Sequence, residues 1–388
     1  MGADYKIISA DSHLELPVDR WAHRIPEKYR DRAPRRIQVA GGGDAHIGEG
    51  RDIMIEPKRM GKEYRVYPFG GSFDTNPGAG SPEQRIKEQD LDGIDAEVLY
   101  PGSAGPNYWR GVKDDTAYKA IIRAYNDYVA EDYCSVAPDR LIGLGLIPEI
   151  NVKDAISELE HCAKIGLKGV AINTFPAGKM FPTAEDDEFW AAAIALNMPI
   201  SVHVMFQFGG GERYHGPMFK YEKQWDREVF SAGRDILGRY ANYFTIRGAR
   251  DAIRLVLAGV FDRFPTLKIY FAENEVGWIP NWIEQADNIF RRNHRWAMEL
   301  LDVKPLKRPP SEYIKEHCYW GFQYNPIGVK LRHEIGLEHI MWSSDFPHTE
   351  SDWPHSLDTI AKTFKDVPED EKQKMVAGNA IKYFHLNA

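Results

Sequence analysis

Hydrophobic residues follow two rhythms along the chain. Short runs rich in β-branched and aromatic residues alternate with longer stretches in which apolar side chains recur at every third or fourth position. The first rhythm suits a buried strand and the second suits one face of a helix. Eight runs read as strands: residues 6–13, 96–101, 141–148, 169–175, 199–204, 268–273, 318–323 and 340–346. Between them, segments 81–93, 114–136, 154–166, 249–265 and 277–301 carry the helical spacing. Ser81 followed by Pro82 marks a helix start, and Gly93 and Gly166 mark helix ends. Apolar strands that alternate with helices predict a parallel sheet. Eight of them predict an α/β fold of the (β/α)8 TIM-barrel type.

Two segments break this rhythm. Residues 33–80 follow the first strand and contain "GGGDAHIGEG" and "FGGSFDTNPGAGS"; residues 205–248 follow the fifth and contain "FGGGERYHG". An insertion that follows a barrel strand leaves from the C-terminal mouth, where specificity loops sit. No repeat or linker divides the chain, so a single barrel domain over 1–388 is expected.

Composition narrows the partners. The net charge is −8, with no block of Lys or Arg, which argues against nucleic acid or an anionic membrane as partner and for a small-molecule substrate. No apolar run approaches the ~20 residues of a membrane span. Cys134, Cys162 and Cys318 are scattered without paired spacing, which suits a reducing, cytoplasmic setting and signals neither a disulfide framework nor a zinc knuckle.

The chemistry collects at the strand ends. In "ISADSHLELP", Asp11 and His13 sit at alternate positions and so face the same side of a strand. The fifth strand ends at His203, the sixth at Glu273 and the eighth at Asp345. Each has an ordinary structural reading when taken singly. Imidazoles and carboxylates gathered at one barrel mouth are what a divalent cation requires. Neither glycine-rich stretch has the order of a phosphate-binding loop, and no GxSxG elbow supplies a serine nucleophile.

"SADSHLELP", "SVHV", "RFPTLKIYFAENEVGWIP" and "MWSSDFPH", in that order, resemble the amidohydrolase-related family of the amidohydrolase superfamily. This family includes aminocarboxymuconate-semialdehyde decarboxylase, γ-resorcylate decarboxylase and many metal-dependent hydrolases. The resemblance implies that Asp11, His13, His203 and Asp345 are metal ligands. In the decarboxylase members the sixth strand ends in a His, where this chain has Glu273. That departure offers an extra oxygen ligand and room for a second metal. Where other superfamily members carry a bridging carboxylated lysine, this chain has Asn173 and Thr174. One or two divalent metals per chain, Mn, Fe or Zn, are therefore expected.

The first expectation for function is a metal-dependent hydrolase. A metal-activated water would attack an ester, thioester or amide carbonyl while Asp345 or Glu273 takes the proton and His348 orients the water or substrate. His215 and Arg213 are candidate substrate contacts. The alternatives are a non-oxidative decarboxylase of an aromatic or unsaturated acid, a dinuclear iron or manganese-iron oxygenase, and a non-catalytic metal-bound subunit. The expected assembly is a homo-oligomer or a pairing with a related subunit.

Overall fold

The eight parallel strands pair in chain order around a TIM barrel. The computed structural model describes residues 5–38, 43–50, 54–57, 77–102, 109–179, 181–204, 248–301, 305–348 and 350–387. Strand β1 (Ile8–Leu14) is followed by β2 (Arg35–Gln38), β3 (Gly43–Ile47) and β4 (Met54–Pro57), which form a separate antiparallel sheet inside the first insertion. The barrel resumes with β5 (Ala96–Pro101), β6 (Leu141–Gly143), β7 (Gly145–Leu146), β8 (Val170–Ala171), β9 (Ile200–His203), β10 (Ile269–Ala272), β11 (Cys318–Phe322) and β12 (Ile340–Trp342). The third predicted strand is thus split at Leu144: β6 pairs with β5 and β7 pairs with β8. Most of the second insertion, 205–247, lies outside the described residues.

The barrel closes at its mouth. Asp345 N–H donates to the Asp11 carbonyl at 2.9 Å, and His13 N–H donates to the Phe346 carbonyl at 2.7 Å. The closing seam is therefore made by the backbone of the residues whose side chains form the candidate site.

Register identifies the inner face. The Tyr100 and Ser201 hydroxyls meet across the barrel, and a Cβ at Gly321 would collide with the Tyr270 hydroxyl. Residues paired across adjacent strands share a face. His13 pairs with Tyr100, Ala171 with Ser201, Tyr319 with Tyr270 and Met341 with Gly321, so all of these point inward. Stepping by two along β9 brings His203 to the inner rim, and Asn173 and Gln323 lie two residues beyond inward-facing Ala171 and Gly321.

The coating helices start and stop where local chemistry dictates. Helix α1 (Pro82–Asp92) is capped by Ser81, whose hydroxyl accepts from Gln84 N–H at 3.3 Å, and it ends at Gly93 with φ 74°. Helix α2 (Asp115–Tyr128) begins at Asp114, which accepts from Thr116 and Ala117 N–H. Helix α3 (Ile279–Leu301) forms the coat after β10. Among the described residues, no helix is long and apolar enough to cross a membrane.

Candidate functional site

His13 sets the chemistry of the mouth. Its Nδ1 donates to the Pro101 carbonyl at 2.8 Å, which leaves the lone pair on Nε2. That lone pair faces two carboxylate acceptors, Asp345 Oδ1 at 3.1 Å and Asp11 Oδ1 at 3.4 Å, and lies 3.0 Å from His203 Nε2. His203 Nε2 in turn lies 3.5 Å from Asp11 Oδ2 and 3.4 Å from Glu273 Oε2. Both Asp11 oxygens and Asp345 Oδ2 are buried without a hydrogen-bond partner. Acceptors turned on one another in a buried site are repulsive unless a positive charge stands between them.

A divalent cation meets that requirement. The ligand atoms of Asp11, His13, His203 and Asp345 all lie within 4.8 Å of one another. Donors that each bind a metal at about 2.0 to 2.2 Å end up on the order of 3 Å apart. Two imidazoles and two carboxylates make a borderline-to-hard set suited to manganese, iron or zinc. The residues present therefore fit a metal, and four of the five predicted ligands form one cluster. Glu273 stands beside that cluster, within reach of His203.

The backbone aims these groups by unusual means. Val204, Glu273 and Asp345 have φ of 59°, 53° and 53°. Left-handed backbone is costly for residues other than glycine, above all for β-branched Val, and such strain concentrates at functional sites. It turns the chain just beyond β9, β10 and β12 at the rim. Asn274 braces two of them, donating to the Val204 carbonyl at 3.0 Å and the Ala272 carbonyl at 2.7 Å while accepting from Gly248 N–H at 2.8 Å.

Charge is distributed unevenly over the cluster. Burial opposes a positive His203, but Asp11, Glu273 and Asp345 outweigh it and raise its pKa to about 9. Burial, helped by His348 and His203, lowers the pKa of His13. Burial and the neighbouring Asp345 raise Glu273 to about 8. At Asp345, burial is overcome by His348 and His13, which hold the carboxyl below the ordinary range. His348 is held well above the usual imidazole range by Asp345 and Glu15, against its own burial.

Sequence reasoning named His348 only as a group to orient water or substrate, and it missed the rest of a supporting layer to which His348 belongs. His348 Nδ1 lies 3.0 Å from Asp345 Oδ1, and its Nε2 lies 3.0 Å from Glu15 Oε1. Behind the seam, buried Arg85 pairs with Glu97 at 2.6 Å and donates to the carbonyls of His13 (3.1 Å) and Phe346 (3.3 Å). Gln89 donates to Glu97 at 2.8 Å. Arg85 belongs to a helix face, at positions 85, 88, 89 and 92, that is polar yet buried in the structure. The predicted contacts His215 and Arg213 lie outside the described residues.

Comparison with known proteins supplies the context. The family model described as amidohydrolase matches residues 10–386. A γ-resorcylate decarboxylase of Polaromonas sp. is 26% identical over 318 residues, covering 79% of this chain and 87% of that protein. A 2-amino-3-carboxymuconate-6-semialdehyde decarboxylase of Dictyostelium discoideum is 25% identical over 385 residues, covering 96% and 92%. Among solved structures, 5-carboxyvanillate decarboxylase of Novosphingobium aromaticivorans, complexed with manganese and 4-hydroxy-3-methoxy-5-nitrobenzoic acid, has the same fold. The TM-score is 0.67 at 20% identity, covering 99% of this chain and 97% of that one.

Proposed function

This chain belongs to the amidohydrolase family, and from that premise we propose that it is a metal-dependent non-oxidative decarboxylase of a small aromatic or unsaturated carboxylic acid. The observation that carries the proposal is the cluster of Asp11, His13, His203 and Asp345 at the barrel mouth of a chain whose curated relatives along most of its length are decarboxylases. Those relatives favour decarboxylation over the hydrolysis expected first, for which they offer no support.

The residues divide the work. Asp11, His13, His203 and Asp345 would hold a divalent cation, manganese being the metal named with the solved relative. When bound, that cation supplies a positive charge that fixes the substrate carboxylate and withdraws electron density from it. Loss of carbon dioxide breaks the bond between the carboxylate and its carbon and leaves the electron pair on that carbon, which must take up a proton. Glu273 stands next to the ligand cluster and faces His203 at 3.4 Å, so it is placed to give that proton. It ends the step as a carboxylate and regains a proton from solvent. His348 holds Asp345 in place from beside His13, on whose ring its own ring stacks.

The test is product analysis. Protein loaded with manganese, incubated with a panel of hydroxybenzoates, is expected to release carbon dioxide and the matching phenol in equal amounts. Release of an acid from esters or amides, with no carbon dioxide from any carboxylate, would restore the hydrolase reading. Dioxygen uptake coupled to hydroxylation would instead favour the oxygenase reading, for which Glu273 is the structural motive.

A further inference from the structure

Two amides stand on the rim that carries the metal ligands. Asn173 follows β8, the neighbour in barrel order of β9 and its His203. Gln323 follows β11, between β10 with Glu273 beyond its end and β12 with Asp345 beyond its end. Each lies two residues beyond an inward-facing strand position, Ala171 or Gly321. Asn173 Nδ2 and Gln323 Nε2 are each buried with no hydrogen-bond partner.

A buried amide N–H without an acceptor is destabilising and rare in folded proteins. Other buried polar atoms without partners, such as Trp190 Nε1 and Tyr270 Oη, belong to fully buried residues. Asn173 and Gln323 differ in being partly exposed, just beyond strand ends. They also differ in sign from the orphaned atoms of Asp11 and Asp345, which are acceptors. The mouth thus presents acceptors for one cation and, on strand ends to either side, neutral donors for oxygen. With Asp11, Glu15, Glu273 and Asp345 already gathered there, a second substrate carboxylate is poorly matched. Uncharged oxygens on the substrate are well matched.

We propose that Asn173 and Gln323 are specificity-determining residues that receive hydroxyl, ether or carbonyl oxygens on the substrate, apart from the groups at the cation. The inference rests on the decarboxylase reading only for the identity of the ligand class.

The experiment is a binding comparison on the manganese-loaded protein. Salicylates carrying either a hydroxyl or a methyl at the same ring position, such as 2,6-dihydroxybenzoate against 2-hydroxy-6-methylbenzoate, are titrated into wild type, Asn173→Leu and Gln323→Met. Both substitutions keep bulk and delete the amide. At one or more ring positions the wild type is expected to prefer the hydroxyl by roughly 3- to 10-fold, the range of one net hydrogen bond. One of the variants is expected to lose that preference while binding the methyl ligand as before. No preference in the wild type, a preference that survives in both variants, or equal weakening of both ligands would overturn the inference. So would failure of every salicylate to bind. Carbon dioxide release is scored separately: binding preferences lost in the variants without turnover would sink the decarboxylase reading and leave the two amides in place.

Discussion

Glu15 and His348 meet at 3.0 Å although 333 residues separate them in sequence. His348 also faces Asp345 at 3.0 Å, and its ring stacks on that of His13 with centroids 3.8 Å apart. An imidazole between two carboxylates donates from both nitrogens only when it is charged. It then fixes the Asp345 carboxylate while Glu15 balances the charge. Loss of such a supporting partner typically costs 10- to 100-fold in metal affinity or activity. Glu15→Gln is therefore expected to weaken manganese binding by roughly tenfold or more with an unchanged circular dichroism spectrum. Metal affinity equal to wild type would show that the pair is only structural.

Removing a ligand should be more severe. His13→Ala and His203→Ala are expected to abolish stoichiometric metal binding while the protein stays folded, because the cluster sits above a core filled by other side chains such as Tyr100 and Tyr270. Elemental analysis after manganese loading and desalting checks the first part, and thermal melting in chelator checks the second. Full metal content in both variants would remove the proposed centre.

The barrel was legible in the sequence because its strands are short apolar runs, and seven of the eight predicted segments became single strands. The exception, split at Leu144, shows what periodicity cannot convey: a break in pairing leaves apolar composition unchanged. The candidate ligands Asp11, His13, His203 and Asp345 were legible because each is a polar residue ending an apolar run. The left-handed backbone at Asp345, and at Glu273 beside the cluster, is announced by no local pattern for acidic residues. Glu15 completed the alternation begun by Asp11 and His13, but its partner lies at the far end of the chain. Arg85 belongs to a helix with a polar buried face, a pattern that reads as solvated until the carbonyls it serves are in view.

The charges predict how the site responds to pH. The folded state raises Glu273 from 4.5 to about 8 and His203 from 6.5 to about 9, and it also raises His348. In each case the native state keeps a proton that the unfolded chain has released, so stability falls as pH rises through the window. The stabilisation from His203 is complete below 6.5 and lost through about 9. Between pH 7 and 9 all three groups act in the same direction, and chelator-treated protein should unfold at progressively lower denaturant concentration. Metal binding must displace the His203 proton, so manganese affinity should rise over the same interval. Denaturant midpoints and manganese titrations at several pH values test both signs. A midpoint that climbs with pH would contradict the charge distribution.

The last prediction concerns the seam. Arg85 is buried, its charge is met by Glu97, and its other nitrogens hold the carbonyls of His13 and Phe346, one on each side of the closure between the first and last strands. Its guanidinium also lies 4.5 Å from the centre of the Phe346 ring. Arg85→Ala would leave Glu97 buried without its cation, and breaking a buried pair in this way costs about 3 to 5 kcal/mol. That loss would lower the melting temperature wherever such a pair occurred. The seam position adds a second effect, because His13 and Asp345 are held at the spacing a cation needs only while their backbones are tied together. Arg85→Lys keeps the charge but has no planar fork to span two carbonyls and a carboxylate. It should therefore recover part of the stability and little of the manganese affinity. Parallel recovery of both would reduce Arg85 to a stabilising ion pair. Separate recovery would mark it as the residue that sets the distance between two metal ligands.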